Sequence, residues 1–165
     1  MLAKVVLVAT LAVTAIAVAD VLRRDELSPR TTAAFLALFS ALFLLRVVGQ
    51  MIVVLRAPRW LPPSEQWHLM PYRLLLPIQL AFLAAMAALV AGLATEQGLL
   101  AERHAAFGWS LVGLSVAYAA SMAVRYAVRM RRRPGERWFG GAIPIVFHVV
   151  LAAFLLTWGR YHVAG

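Results

Sequence analysis

Five polar side chains lie inside otherwise apolar stretches of this 165-residue chain, and together they have the chemistry to bind a ligand away from water. They are Arg46, Gln50, Gln79, Tyr118 and His148. Guanidinium and amide groups donate to carboxylate or carbonyl oxygens, a phenol both donates and accepts, and a neutral imidazole can bind a metal. The pattern therefore predicts a site for a hydrophobic molecule with a polar part: a quinone, a haem, a (bacterio)chlorophyll-type pigment or a lipid headgroup.

Arg46 is the most informative of these residues because of its depth. The charged segment 23–30 cannot enter hydrocarbon, and a membrane span needs about 20 residues. The apolar run that follows must therefore continue through Arg46 to Leu55. At about 1.5 Å per residue, the guanidinium lies roughly 15 Å inside Arg56. Ionisable residues at such depth are costly and are functional candidates.

Three interpretations of Arg46 stay open. It could tie helices together by bonding to Gln79, Tyr118 and backbone carbonyls. It could bind an anionic or carbonyl-bearing ligand, or it could contact another subunit. No carboxylate lies inside a predicted span at a similar depth, and a buried charge requires compensation. The last two interpretations place that compensation outside the chain.

His148 lies eleven residues from Arg137 and twelve from Arg160, so it is also predicted near mid-membrane. It could be a core imidazole bonded to a neighbouring helix, a proton relay beside a quinone, or a single axial ligand to a haem or pigment. A haem bound by two histidines is disfavoured, because the other three are predicted at or beyond the surface: His68, His104 and His162.

The composition identifies an integral membrane protein. Hydrophobic residues make up 63% of the chain and charged residues 14%, whereas soluble domains are nearer half and a quarter. The net charge of +9 belongs to membrane topology and anionic lipid, and no nucleic-acid partner is expected. Cysteine is absent, which excludes disulfides and thiolate ligands. We find no catalytic carboxylate pair, Ser-His-Asp set or phosphate-binding glycine loop, and no metal site beyond the axial-ligand option.

Five long apolar segments predict an all-α bundle that crosses the membrane five times as one domain, residues 1–165. Strands are disfavoured because the segments are about 20 residues long and do not alternate. The predicted spans are approximately 2–22, 32–55, 74–94, 108–128 and 141–158.

The distribution of positive charge predicts the orientation. With five spans, ten Lys and Arg residues lie on the side of the N-terminus and five on the other. The excess favours a cytoplasmic N-terminus. One cluster on that side is expected to contact anionic headgroups: Arg129, Arg131, Arg132, Arg133 and Arg137.

The segment between the second and third spans contains four prolines, which disfavour a continuous helix. Its aromatic residues suit the headgroup region, so we expect an interface loop. The residues assigned to it are Trp60, Trp67, His68 and Tyr72.

Small residues recur at four-residue spacing in two spans, a pattern that lets helices approach closely. We predict that both sets pack inside the bundle, with contact between subunits as the alternative. They are Ala84/Ala88/Gly92 and Gly113/Ala117/Ser121.

Three stretches and the chain's last Arg-Tyr-His, which begins at Arg160, resemble a family of small bacterial multi-pass membrane proteins with no known activity. The stretches are RVVGQ from Arg46, LPPSEQWHLMPYRLLLPIQ from Leu61 and WFGGAIPIVFH from Trp138. The resemblance implies a bacterial inner membrane and assigns no functional residue.

Three functions are compatible with these features. The first is a non-catalytic subunit or assembly partner of a larger respiratory or photosynthetic membrane complex, bound to other subunits or to itself. The second is binding of a hydrophobic small molecule at the five polar residues. A small transporter is third, because no symmetric halves or membrane-embedded acids are visible.

Overall fold

A computed structural model of the chain describes residues 2–56, 58, 61, 71–96, 101–132 and 142–164. These residues form five helices and no strand, which confirms the predicted all-α bundle. The helices are α1 (Leu2–Arg23), α2 (Pro29–Arg56), α3 (Tyr72–Ala94), α4 (Ala105–Arg132) and α5 (Ala142–Val163). All five are long and apolar enough to cross a membrane, so the chain is a multi-pass membrane protein.

Local chemistry explains why α2 begins earlier than its apolar run. The backbone N–H of Thr31 donates to Ser28 Oγ at 3.1 Å, which is the bond made by an N-capping serine. Pro29 follows as the first helical residue, where its missing N–H costs nothing. The cap therefore fixes the helix start three residues before the predicted boundary.

Two helices are longer than a bilayer requires. Both α2 and α4 contain 28 residues, about 42 Å of helix, whereas the hydrocarbon core is about 30 Å thick. Their ends must project beyond the hydrocarbon or the helices must tilt. The C-terminal end of α4 bears three arginines, at the terminus where cations are favoured by the helix dipole: Arg129, Arg131 and Arg132.

The last helix, α5, lies at the centre of the bundle. It contacts α4, α2 and α1, while α3 packs against α2. Val150, Phe154 and Tyr161 of α5 are almost fully buried. We call the end of the bundle at which α1, α3 and α5 begin the inner end, and the opposite one the outer end.

The closest helix approach joins α4 and α5. A Cβ on Gly108 would lie 2.7 Å from His162 Cβ and 2.8 Å from the carbonyl oxygen of Gly159. A little further along, Ser115 Oγ donates to the carbonyl oxygen of Ala152 at 2.7 Å. Because Gly108 and Gly159 have no side chains, the two helices can approach closely. The buried hydroxyl of Ser115 then fixes their register.

Two apolar grooves flank α4. In the described part of the chain, α4 contacts neither α1 nor α3. The groove between α3 and α4, with α5 as its floor, has a volume of about 630 Å³. A smaller groove of about 260 Å³ separates α1 from α4. Thus α4 is attached to the bundle along one face, and both of its edges are open.

The prediction that the small-residue sets pack internally is wrong. Gly113, Ala117 and Ser121 are exposed, and a Cβ added to Gly113 would meet no atom within 4 Å. Ala84 and Ala88 of α3 are exposed as well. The close contact inside the bundle is made by Gly108 and Gly159 instead, because Gly108 lies on the face of α4 that packs against α5 and Gly113 does not.

Two prolines lie near the starts of helices. Pro144 is the third residue of α5 and lies in its first turn, where proline is tolerated. Pro77 is the sixth residue of α3, since that helix begins at Tyr72. A proline there removes the N–H that would bond to the carbonyl of Arg73.

Arginine side chains hold the outer end together. Arg103 donates to the carbonyl oxygen of Leu27 at 2.8 Å, and Arg160 donates to that of Arg24 at 2.9 Å. The turns between α1 and α2 and before α4 are thereby tied to α5. His162, expected at or beyond the surface, lies in the last turn of α5 but is only 5% exposed, because Phe107, Trp158 and Tyr161 pack around its ring.

Candidate ligand-binding site

Two buried glutamines join α2 to α3 near the inner end. Gln79 Nε2 donates to Gln50 Oε1 at 3.1 Å, and the two side chains are 3% and 0% exposed. Each amide has two donor hydrogens and an acceptor oxygen, and in a bilayer each of these groups needs a partner within the protein or a ligand. The single bond between them therefore leaves hydrogen-bonding capacity unused.

The unused capacity consists of one donor group and one acceptor. Among the described residues, Gln50 Nε2 and Gln79 Oε1 have no hydrogen-bond partner. If the oxygen and nitrogen positions of both amides were exchanged, Gln50 would donate to Gln79. One NH₂ group and one carbonyl would still lack a partner. A buried orphan amide group costs on the order of 1–3 kcal/mol. The pair is thus suited to a ligand that both accepts and donates.

A second pair joins α4 to α5. The rings of Tyr118 and His148 lie 5.7 Å apart, centre to centre. His148 Nδ1 is hydrogen-bonded to the carbonyl oxygen of Pro144, one turn earlier in α5. A carbonyl only accepts, so Nδ1 carries a proton, and the ring in its neutral form presents a lone pair on Nε2. That nitrogen can accept a hydrogen bond from an O–H or N–H group, or bind a metal.

Arg46 is buried beside the second pair, on the other side of α5. It is 6% exposed, and its guanidinium carbon lies 6.0 Å from the ring centres of both Phe43 and Phe147. Its charge also interacts with Tyr118 and His148. Aromatic faces stabilise a guanidinium that is removed from water. The predicted burial of Arg46 is thus found, with aromatic rings as part of its surroundings.

The groove between α3 and α4 is lined by one of these polar residues, Tyr118, and its remaining lining is apolar apart from the indole of Trp158. Gln79 precedes the lining residue Phe82 by three positions, and His148 precedes Leu151 by three. Residues three apart share a helix face. Gln79 and His148 therefore lie one turn beyond two walls of the groove, toward the inner end, without being among its lining residues.

The five predicted site residues do not all line one cavity. Tyr118 lines the groove between α3 and α4, whereas Arg46 lines a separate cavity of about 240 Å³ between α1, α2 and α5. Gln50 and Arg46 are four residues apart on α2, and Gln50 bonds to Gln79. The result is two separate polar pairs, Gln50–Gln79 and Tyr118–His148, with Arg46 in a cavity of its own.

The other predicted binding residues fall in two classes. Tyr72, assigned to the interface loop, is the first residue of α3 and is half-buried. Arg129, Arg131 and Arg132 form the last turn of α4, where contact with headgroups is geometrically possible. The rest lie outside the described residues: Trp60, Trp67, His68, Arg133 and Arg137.

Metal binding has limited support from the side chains that the structure describes. They contain no group of three or more His, Asp or Glu residues suited to an ion. His104 and His162 lie together at the outer end, with ring centres 6.3 Å apart, far along α5 from His148. Within the described ranges, His148 can therefore act only as a single axial ligand to a haem or pigment.

Sequence reasoning missed a set of buried polar atoms toward the outer end. Thr157 Oγ1, Trp158 Nε1 and His162 Nε2 have no hydrogen-bond partner within the part of the chain that is described. The four-residue spacing of Trp158 and His162 signals a shared helix face. It does not signal burial, because a terminal turn of a span is usually read as a headgroup region.

Fold and site together define a multi-pass α-helical membrane protein whose bundle contains a buried polar cluster next to an apolar groove. Comparison with known proteins gave no matching family profile, no matching curated protein and no matching solved structure.

Proposed function

We propose that this protein binds a hydrophobic small molecule of the bilayer through the polar cluster at the inner end of the groove. The observation that carries the proposal is the Gln50–Gln79 pair. These amides are buried, make one bond to each other, and leave a donor and an acceptor without partners among the described residues. A bound polar head that supplies both bonds would remove that cost.

Two neighbouring features support the same function. Tyr118 and His148 add a hydroxyl and an imidazole lone pair at the end of the groove. The groove itself has the volume and apolar lining of small-molecule sites, which range over about 300–1,000 Å³ with a few polar groups. Apolar walls ending in a small polar set are the usual arrangement for an amphipathic ligand.

The decisive experiment identifies what is bound. Protein purified from native membranes in a mild detergent should contain a stoichiometric organic compound, detected by mass spectrometry of an organic extract and by the visible spectrum. The double substitution Gln50→Leu/Gln79→Leu should abolish it. That variant removes both amides together, so no orphan polar group remains and the bundle should stay folded. An empty extract from the unaltered protein would refute the proposal.

A second candidate function is that of a non-catalytic subunit or assembly partner in a larger membrane complex. The exposed small-residue face of α4, formed by Gly113, Ala117 and Ser121, favours it. Such a face allows the backbone of another helix to approach closely. Either a second copy of this chain or a different subunit would fit the same chemistry.

The two functions are separated by the state of the isolated protein. A subunit should be recovered with partner chains by native mass spectrometry, and Gly113→Ile should release them because the β-branched side chain blocks close approach. Recovery of a homogeneous monomer that retains its ligand would exclude the subunit function and leave ligand binding.

The proposed location is the bacterial inner membrane, with the N-terminus in the cytoplasm. The proposal is supported by the charge bias and by the arginines at the inner end of α4. With this orientation, Arg129, Arg131 and Arg132 face the leaflet that carries anionic lipid. Each such charge contributes about 1 kcal/mol near an anionic surface.

A further inference from the structure

We infer that the ligand is a neutral lipid of the quinone class, which enters sideways from the bilayer between α3 and α4 with its tail directed toward Trp158. This inference rests on the proposed function and adds the route, the orientation and the ligand class.

The route follows from the missing contact between α3 and α4. In the described structure these helices touch only other helices, and the groove between them is open toward the surrounding lipid. The side chains at this opening include Ala85 and Ala88 of α3, which leave room for entry. A hydrophobic molecule can therefore reach the polar cluster without crossing water.

The tail position follows from the direction in which the groove runs. From Tyr118 at its inner end, the lining continues along α5 through Leu151 and Leu155 to Trp158. Seven residues of helix separate Leu151 from Trp158, which is about 10 Å. All side chains between these two ends of the groove are apolar. The tail must point outward, because the polar groups that bind the head lie at the other end.

The head must be neutral because of its depth. Tyr118 is in the middle of α4, roughly 20 Å from either end at about 1.5 Å per residue. A phosphate at that depth would be strongly disfavoured, and a phospholipid keeps its headgroup at the surface. A quinone head is uncharged and can be placed in the hydrocarbon region.

The hydrogen-bonding groups of the site favour the same class of ligand. The spare amide donor of the glutamine pair and the Tyr118 hydroxyl match the carbonyl oxygens of the oxidised head. The spare amide oxygen and His148 Nε2 match the hydroxyl groups of the reduced head. A single ring with two oxygens in either state can thus use groups that lie on α2, α3, α4 and α5.

Quenching of tryptophan fluorescence by a brominated quinone, a ubiquinone analogue with bromine at the end of its decyl tail, tests the inference in phosphatidylcholine nanodiscs. Bromine quenches only a tryptophan in close contact with it, so the signal reports where the end of the tail lies. One variant keeps only Trp158, with the other four tryptophans changed to Phe. Its matched control keeps only Trp109, which is 62% exposed on α4 and outside the groove. Quenching of Trp158 should saturate at low ratios of quinone to lipid. Quenching of Trp109 should rise in proportion to quinone, as expected for simple partition into lipid.

A matched pair of substitutions tests the route. Ala88→Phe places a ring in the groove and should weaken the saturable component by about tenfold or more. Ala87→Phe adds the same ring at an exposed position that does not line the groove, and should leave binding unchanged. Equal effects of the two substitutions would overturn entry between α3 and α4.

The remaining outcomes separate this inference from the proposed function. If a compound co-purifies and depends on the two glutamines, but Trp158 and Trp109 respond alike, the function stands and the quinone-tail geometry is wrong. If dibromostearate gives saturable quenching of Trp158 and the brominated quinone does not, the ligand class is wrong. If no compound co-purifies and no probe saturates, both proposals fail.

Discussion

Gly108 of α4 and Gly159 of α5 face each other so closely that a Cβ on either would lie within 2.9 Å of the other's carbonyl oxygen. The atoms it would strike include these backbone oxygens, which cannot move aside without moving a helix. This contact holds α4 to the central helix at the outer end, and Ser115 reinforces it further along.

Substitution of either glycine should therefore destabilise the bundle. Gly108→Ala and Gly159→Ala are each expected to cost on the order of 1–3 kcal/mol from overpacking. Gly113→Ala is the matched control, since a Cβ there meets nothing within 4 Å. That variant should be neutral or slightly more stable, because alanine favours the helix by up to about 1 kcal/mol. Thermal unfolding in detergent measures the stability of all three variants. An equal loss of stability in Gly113→Ala would show that the close contact between α4 and α5 is not the cause.

The glutamine pair should show strong non-additivity. Gln79→Leu alone leaves the buried amide of Gln50 without its bond, at a cost of roughly 1–3 kcal/mol. The double variant Gln50→Leu/Gln79→Leu removes both amides and should recover most of that loss. A double-mutant cycle on the unfolding midpoint measures the coupling. Simple addition of the two single effects would show that the pair does not act as a unit.

Substitution of Arg46 tests whether its charge is needed for ligand binding or for the stability of the fold. Arg46→Met keeps an unbranched apolar side chain between Phe43 and Phe147, so thermal stability should be unchanged or higher, as for other buried charges replaced by apolar groups. The bound molecule should be held more weakly, because the nearby positive charge no longer strengthens the hydrogen bond that Tyr118 donates to a carbonyl oxygen of the head. Extraction and mass spectrometry of the variant give the result. Full retention of ligand would exclude Arg46 from the site.

The absence of cysteine makes the orientation directly measurable. Single substitutions Arg131→Cys, at the inner end, and Asp25→Cys, at the outer end, are both at exposed positions. With a cytoplasmic N-terminus, a membrane-impermeant maleimide added to intact cells should label the cysteine at position 25 and leave position 131 unlabelled until the membrane is opened. The reverse pattern would invert the proposed topology.

Much of the fold was predictable because hydropathy and length alone define membrane spans. The burial of Arg46, Gln50 and Gln79 followed in the same way, since each lies inside an apolar run. Partner choice was not predictable: the Gln50–Gln79 bond depends on α2 and α3 being neighbours, which spacing along one helix does not encode. The outward direction of Gly113 and Ala117 was missed for the same reason, because small-residue spacing indicates close approach without naming the approaching helix.

The central position of α5 has a consequence for biosynthesis. In the described structure α4 packs against α5, which is made after it. Until α5 is inserted, α4 has no neighbour among the described helices, and the groove beside it has no floor. Whereas α2 and α3 can pack as soon as both are made, docking of α4 must wait for α5, and a chain that stops before residue 142 should expose α4 to quality-control proteases.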